Sequence, residues 1–331
     1  MKILVTGGAG FIGSHLVEAL VRRGDRVVIL DNFNEFYDPE IKRRNLAEIE
    51  RTAGTALGDG PASLVEGDIR DAELVGGLFD GSHPEGGGFD AVVHLAAMAG
   101  VRPSLQDPLL YQDVNVRGLM VFLEELRKRP ETRFVFASSS SVYGGNTEVP
   151  FSESLDVHRP VSPYAATKLS GELLCYTHHH LYGIPTTCLR FFTVFGPRQR
   201  PEMAIHKFVR MTLAGEPLPF FGDGSTRRDY TYVDDIIDGV VRSIDRCEGY
   251  EVYNLGESRT TSLEELVKLI GEACGKEPVL DRRPMQPGDV VITYADVSKA
   301  REKLGYDPHT TVAEGLEKFL AWYRAEFSPA T

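Results

Sequence analysis

The chain has 331 residues, 42% of them hydrophobic, with 48 acidic against 36 basic side chains, a net charge of −12 and a pI near 5.3. That size fits two units or one large α/β unit and excludes a disordered or fibrous chain. The acidic balance offers no broad basic surface for nucleic acid or an anionic membrane, so a phosphate ligand has to be held by local features. The opening MKILVTGGAGFIGS does not fit a signal peptide, and no stretch approaches a membrane-spanning length. Cys175, Cys188, Cys247 and Cys274 are isolated, without a CxxC pair, which points to a reduced, cytoplasmic chain with no zinc site.

In chain order, residues 3–6 read as a strand and 12–23 as a helix with Ile12, Leu16, Ala19 and Leu20 on one face. A second strand follows over 26–30, a charged helical insertion over 38–52, a third strand at Leu64 and Val65, and a fourth over 91–95. The glycine-rich stretch 81–88 reads as a surface loop. Residues 105–129 read as one long helix, 133–138 as a fifth strand, and about 162–182 as a helix opened by Ser162-Pro163. Alternating strands and helices imply a parallel sheet wrapped on both faces. Beyond 182, proline and glycine become frequent in GPRQRPEM, GEPLPFFGDG and RRPMQPGDV, the texture of a smaller, loop-rich unit, while 230–241 returns to sheet and helix patterning. The expected division is 1–175 plus about 224–250 for one unit, and about 176–223 plus 251–331 for the other. His178, His179 and His180 read as an exposed helix turn and not as metal ligands.

Between the first strand and first helix stands Gly7-Gly8-Ala9-Gly10-Phe11-Ile12-Gly13. Glycines there let the backbone turn tightly and approach a pyrophosphate at the helix N-terminus. The expected fold is therefore a Rossmann-like doubly wound sheet with a smaller, interleaved α/β unit. Asp31 closes the second strand 18 residues after Gly13, where a carboxylate accepts hydrogen bonds from adenosine ribose hydroxyls. The following Asn32 and Phe33 bring no arginine to offset its charge, which favours NAD over NADP. Asp68 and Ile69, then Leu95, Ala96 and Ala97, follow the third and fourth strands, at the edge where open α/β sheets bind ligands.

The fifth strand runs into Ser138-Ser139-Ser140-Ser141-Val142-Tyr143-Gly144, and Tyr164 stands 25 residues after Ser139 with Lys168 four further on. Helical spacing puts phenol and ammonium on one face. A nearby cation stabilises phenolate and is expected to lower the tyrosine pKa toward neutrality, making it a general base or acid.

GGAGFIG, Asp31, HLAA at 94–97, SSSSVYG and YAATK at 164–168 together resemble the extended short-chain dehydrogenase/reductases that act on nucleotide sugars. The resemblance implies that Tyr164 takes a proton from a sugar hydroxyl while NAD takes the hydride. It also implies that Lys168 bonds the nicotinamide ribose, that Ser139 is the catalytic hydroxyl and that Asn115 contacts the cofactor side. It places Tyr143 over the sugar, although packing is an equal reading.

The resembling 4,6-dehydratases carry an Asp-Glu pair after the catalytic hydroxyl, and the decarboxylases a glutamate before VY, whereas this chain has Ser140 and Ser141 there. Epimerisation needs no such acid. FFTVFGPRQRPEMA at 191–204, with Thr193 where UDP-galactose epimerases have asparagine, is similar to the UDP-glucuronate 4-epimerases, as are AGVR at 99–102 and PMQPGD at 284–289. Ser140, Ser141 and Thr193 are candidate holders of a sugar carboxylate, whose fixation suppresses loss of CO₂ from a 4-keto acid. Arg102 and Arg200 are alternative carboxylate partners or diphosphate ligands. Arg228 is the diphosphate candidate and Asp289 the uridine-ribose candidate by the same resemblance. A UDP-glucose or UDP-N-acetylhexosamine 4-epimerase, a UDP-glucuronate decarboxylase and a dinucleotide-sensing binding protein are the alternative readings. In this family the helices over 105–129 and 162–182 commonly pair across a two-fold axis, which implies a homodimer.

Overall fold

The computed structural model describes residues 1–285 and 290–327. Seven parallel strands form the central sheet: β1 (Lys2–Thr6), β2 (Arg26–Asp31), β3 (Ala62–Glu66), β4 (Ala91–His94), β5 (Arg133–Ser139), β6 (Thr186–Phe191) and, later in the chain, Tyr250–Leu255. The spatial order is Tyr250–Leu255, β6, β5, β4, β1, β2, β3, so the order of connection reverses between β1 and β4. Ligands of such sheets bind at that crevice. The architecture is the doubly wound α/β sheet that the strand and helix alternation implies.

Along β1, Ile3 and Val5 enter one apolar cluster and Leu4 the other, because successive side chains point to opposite faces. One face is covered by α1 (Phe11–Arg23), which packs against α2 (Pro39–Ala53). The other carries α3 (Ala72–Asp80), a helical segment over 101–126, and α7 (Pro163–Tyr182). The sequence reading missed α3, whose first turn is capped by the Asp71 carboxylate accepting from the Glu73 and Leu74 N–H groups.

The long helix expected over 105–129 is broken into α4 (Val101–Gln106), α5 (Pro108–Gln112), a π-turn over Asp113–Arg117 and α6 (Gly118–Leu126). Asp107 caps the restart by accepting from Leu110 N–H, and Pro108 suits the first turn it opens. α7 begins where expected, with the Ser162 hydroxyl accepting from Ala165 N–H and Pro163 in the first turn.

After β6 the chain forms short pairs at the sheet's C-terminal edge. β7 (Thr193–Phe195) runs parallel to β10 (Tyr230–Tyr232), β8 (Leu218–Phe221) to β13 (Leu280–Arg283), and β9 (Arg227–Arg228) antiparallel to β12 (Thr261–Ser262). The strand Tyr250–Leu255 is β11, and it and β6 join the large sheet although both stretches read as part of the smaller unit. Helix α9 (Val233–Asp245) packs on α1, while α8 (Ala204–Ala214), α10 (Leu263–Cys274), α11 (Ser298–Leu304) and α12 (Val312–Phe327) complete the elements of the described residues. No helix among the described residues is long and apolar enough to cross a membrane.

Candidate active site

A cleft of about 530 Å³ opens along the C-terminal ends of the strands, between the glycine turn and the short strand pairs. That volume suits a ligand of cofactor size. Gly7, Gly10, Phe11, Ile12 and Gly13 form its floor. Gly7 has φ +70°, and a Cβ there would lie 2.9 Å from Ala96 N; a Cβ on Gly13 would lie 2.1 Å from the Gly7 carbonyl oxygen. Only glycine therefore closes this turn. Gly10 caps α1 with no side-chain acceptor, so the helix opens on backbone N–H groups beside the cleft, the donor set a pyrophosphate needs.

Asp31 and Asn32 line the same end, as do Ile69, Leu95, Ala96 and Ala97. The Asp31 carboxylate accepts from Ala9 N–H at 3.2 Å and Phe33 N–H at 3.0 Å, and is ion-paired with Lys42 of α2 at 2.9 Å. The charge of Asp31 is thus not bare, which corrects the argument from Asn32 and Phe33 alone: its partner sits eleven residues on, in a Lys-Arg-Arg run that reads as a solvated helix face. Asp68 does not line the cleft. Its carboxylate accepts from Asn32 Nδ2 at 3.0 Å and from Arg70 at 2.9 and 2.8 Å, which hold it down to about pKa 2. The cleft wall there is Arg70, which the sequence reading missed.

Asn115 is also corrected. It lies in the π-turn, buried, with Oδ1 accepting from Met98 N–H at 2.7 Å and Nδ2 donating to Met98 O and to Thr167 Oγ1, both at 3.0 Å. It braces the loop after β4 against α7 and does not face the cleft. Tyr143, too, points away: it is buried, and its hydroxyl donates to Asn254 Oδ1 at 2.7 Å.

At the reacting end, Ser139, Ser140, Ser141, Tyr164 and Lys168 all line the cleft. Ser139 Oγ accepts from Ser141 N–H at 3.2 Å and Ser141 O–H at 2.9 Å, leaving its own proton to favour the ionised Tyr164 oxygen. Burial raises the Tyr164 pKa above its ordinary value, while Ser139 and the positive charge of Arg200 oppose that rise. Lys168 lines the cleft beside Tyr164. Its ammonium donates to Ala137 O at 2.7 Å and lies 6.0 Å from the Tyr164 ring centroid, and burial brings its own pKa down to about 8. Tyr111, hidden in what read as continuous helix, meets the Tyr164 ring edge-on with 6.2 Å between centroids.

Thr193, at the start of β7, lies across the cleft, as do Arg102, Arg200 and Arg228. Arg200 stacks on Phe36 at 5.4 Å and pairs with Glu202, while Arg102 stacks on Phe221 at 5.8 Å. Arg228 donates to the Arg227 carbonyl oxygen at 2.8 Å. Its neighbour Asp229 is fully buried and accepts from Glu257 N–H at 2.8 Å, Ser258 N–H and Ala295 N–H at 3.1 Å each, and the Thr231 hydroxyl. Burial pushes Asp229 up to about 6 against those four donors. Asp289 lies outside the described residues. His178 is buried and reaches Leu174 O, contrary to the exposed turn expected of it.

A doubly wound sheet with a glycine turn, a serine at the end of β5 and a Tyr-x-x-x-Lys helix defines a dinucleotide-dependent short-chain dehydrogenase/reductase. Residues 4–319 match the family model described as GDP-mannose 4,6 dehydratase, and the chain belongs to that family, within the extended short-chain dehydrogenase/reductases. It is 40% identical to UDP-glucuronate 4-epimerase 4 of Arabidopsis thaliana, across 99% of this chain and 76% of that one. The solved Bacillus cereus UDP-glucuronic acid 4-epimerase, in complex with UDP-glucuronic acid and NAD, superposes with a TM-score of 0.88 at 36% identity over 99% of this chain and 100% of that one. The UDP-glucose 4-epimerase of Thermotoga maritima with UDP-glucose gives 0.86 at 34% identity, over 98% and 99%.

Proposed function

We propose that this chain is an NAD-dependent isomerase that interconverts UDP-glucuronate and UDP-galacturonate at C4 through a transient 4-keto sugar. The observation that carries the reading is the convergence of Ser140, Ser141 and Thr193 on a cleft that also holds Ser139, Tyr164 and Arg200. Hydroxyl donors at the sugar end suit a carboxylate, and Ser140 and Ser141 stand where elimination requires acids.

The glycine turn, the open N-terminus of α1 and the Asp31–Lys42 pair fit the pyrophosphate and ribose of NAD. Bound NAD supplies the hydride acceptor at C4 and a positive charge that favours phenolate. Tyr164 takes the C4 hydroxyl proton, with Ser139 donating to the phenol oxygen. Lys168, anchored on Ala137 O, presents its remaining donors to the nicotinamide ribose. The hydroxyls of Ser140, Ser141 and Thr193 hold the carboxylate while the ring is a β-keto acid, which keeps its C–CO₂ bond out of the orientation that expels CO₂. After the sugar turns its other face, the hydride held by the bound nicotinamide would return to C4 as Tyr164 gives back the proton, which restores the alcohol with inverted configuration. Arg228, fixed by the Asp229 tether, takes the diphosphate, and Arg102 beside Phe221 borders the nucleotide end. The unit built on the paired strands β8–β13 and β9–β12 holds the nucleotide sugar.

A homodimer through α4, α5 and α7 accounts for Leu105, Leu109, Leu173, Tyr176 and Leu181, each more than half exposed on adjoining helices. The four cysteines are free and buried, which suits a reducing cytoplasm. Purified protein is to be incubated with UDP-glucuronate or UDP-glucose and trace NAD, with products resolved by proton NMR. Conversion of the acid well ahead of the neutral sugar is the expected result. Preference for the neutral sugar, or a UDP-pentose as main product, would overturn the proposal.

A further inference from the structure

Beneath the reacting end lies a buried charged pair that the chemistry above does not use. Glu172 follows Lys168 by four residues and Tyr164 by eight on α7, so all three share one helix face. Its carboxylate accepts from Arg190 Nε at 2.9 Å and Arg190 Nη2 at 2.8 Å, a two-pronged contact with β6, and from Ser138 Oγ at 2.5 Å on β5. Glu172, Arg190 and Ser138 are each no more than 4% exposed. The Arg190 guanidinium in turn lies 4.8 Å from the Tyr143 ring centroid, on the turn Ser140–Tyr143 that carries the hydroxyls facing the sugar.

The helix therefore docks on β5 at two successive residues, through Lys168 on the Ala137 carbonyl and Glu172 on the Ser138 hydroxyl, immediately before Ser139. One carboxylate thus ties together the tyrosine helix, the serine strand end and the turn behind the sugar pocket. Replacing such a pair with apolar residues is often neutral for stability, so its presence here is not explained by stability alone.

We infer that Glu172 is a positioning residue with two separable outputs: through Ser138 it sets the separation of Ser139 from Tyr164, and through Arg190 and Tyr143 it sets the turn that grips the sugar. The inference rests on the assignment of Ser139 and Tyr164 to proton transfer. Small displacements of reacting groups are costly, and about 1 Å of misplacement reduces rate by on the order of 100-fold.

The two outputs are tested with separate variants. Ser138→Ala removes one hydrogen bond and leaves the ion pair in place; kcat should fall roughly 10-fold with KM for the UDP-sugar within about 2-fold of wild type. Arg190→Lys keeps the charge but loses the fork and the stacking, and should raise KM roughly 10-fold with a smaller effect on kcat. Circular dichroism and NAD affinity, measured on the same samples, establish that each variant is folded. Folded variants that melt earlier yet retain wild-type kcat and KM overturn the inference and leave the pair a purely structural one. Loss of both parameters in equal proportion in both variants also overturns it, since the outputs would then not be separable. The wild type is assayed first on UDP-glucuronate and UDP-glucose: inactivity on both defeats the functional assignment and this inference with it, whereas an active wild type with unaffected variants defeats the inference alone.

Discussion

Glu257, between β11 and β12, is 5% exposed, and neither carboxylate oxygen has a hydrogen-bond partner among the described residues. Burial, helped by the negative charge of Asp235, pushes its pKa from 4.5 up to about 7. The folded chain consequently holds a proton that the unfolded chain has released across that window. Stability from this group is full below pH 4.5 and is lost as pH rises through 7. Such a displacement corresponds to about 3 kcal/mol at pH 8, and allowing for solvent screening of the group leaves about 1–2 kcal/mol. Glu257→Gln keeps the shape and removes the charge. Urea unfolding should show the variant more stable than wild type by about that amount near pH 8, with the advantage shrinking below about 1 kcal/mol near pH 5. A variant less stable at pH 8, or equally stabilised at both pH values, would refute the reasoning.

Three further outcomes follow from the same geometry. Gly13→Ala forces a methyl to 2.1 Å from the Gly7 carbonyl oxygen, and since neither backbone atom can move without opening the turn, NAD affinity measured by calorimetry should fall by at least about 100-fold. Arg200→Gln removes a positive charge that lowers the Tyr164 pKa, so the limb of the kcat–pH profile on which rate rises with pH should move to higher pH; a shift to lower pH is the contrary sign. Thr193→Ala leaves the reacting carboxylate with fewer donors, and the UDP-pentose by-product of UDP-glucuronate, read by NMR, should rise several-fold while turnover of a neutral UDP-sugar stays near wild type.

The cofactor half was the most legible part of the sequence because its constraints are local. The glycine turn, the end of β2 and the i, i+4 pair Tyr164–Lys168 are each set by a few adjacent residues, and each stands where its spacing puts it. Partners distant in the chain were not legible. Lys42 reaches Asp31 only because α2 folds back over α1, and Arg70 reaches Asp113 across four elements. Periodicity also misled at 105–129: the apolar positions continue through Asp107-Pro108 and the π-turn, so the break is marked only by a proline that suits a helix start equally well. Asn115 and Tyr143 show the remaining limit, since a motif fixes which residue is present but not which way its side chain turns.

Epimerisation through bound NAD requires that the hydrogen removed from C4 be the one returned to its opposite face. It is tested by incubating the purified protein and NAD with UDP-glucuronate deuterated at C4 in ordinary water and following C4 of the product by NMR. UDP-galacturonate with deuterium retained at C4 and no accumulation of NADH is the expected result. Product carrying solvent hydrogen at C4, or release of CO₂ in step with consumption of the acid, would contradict it.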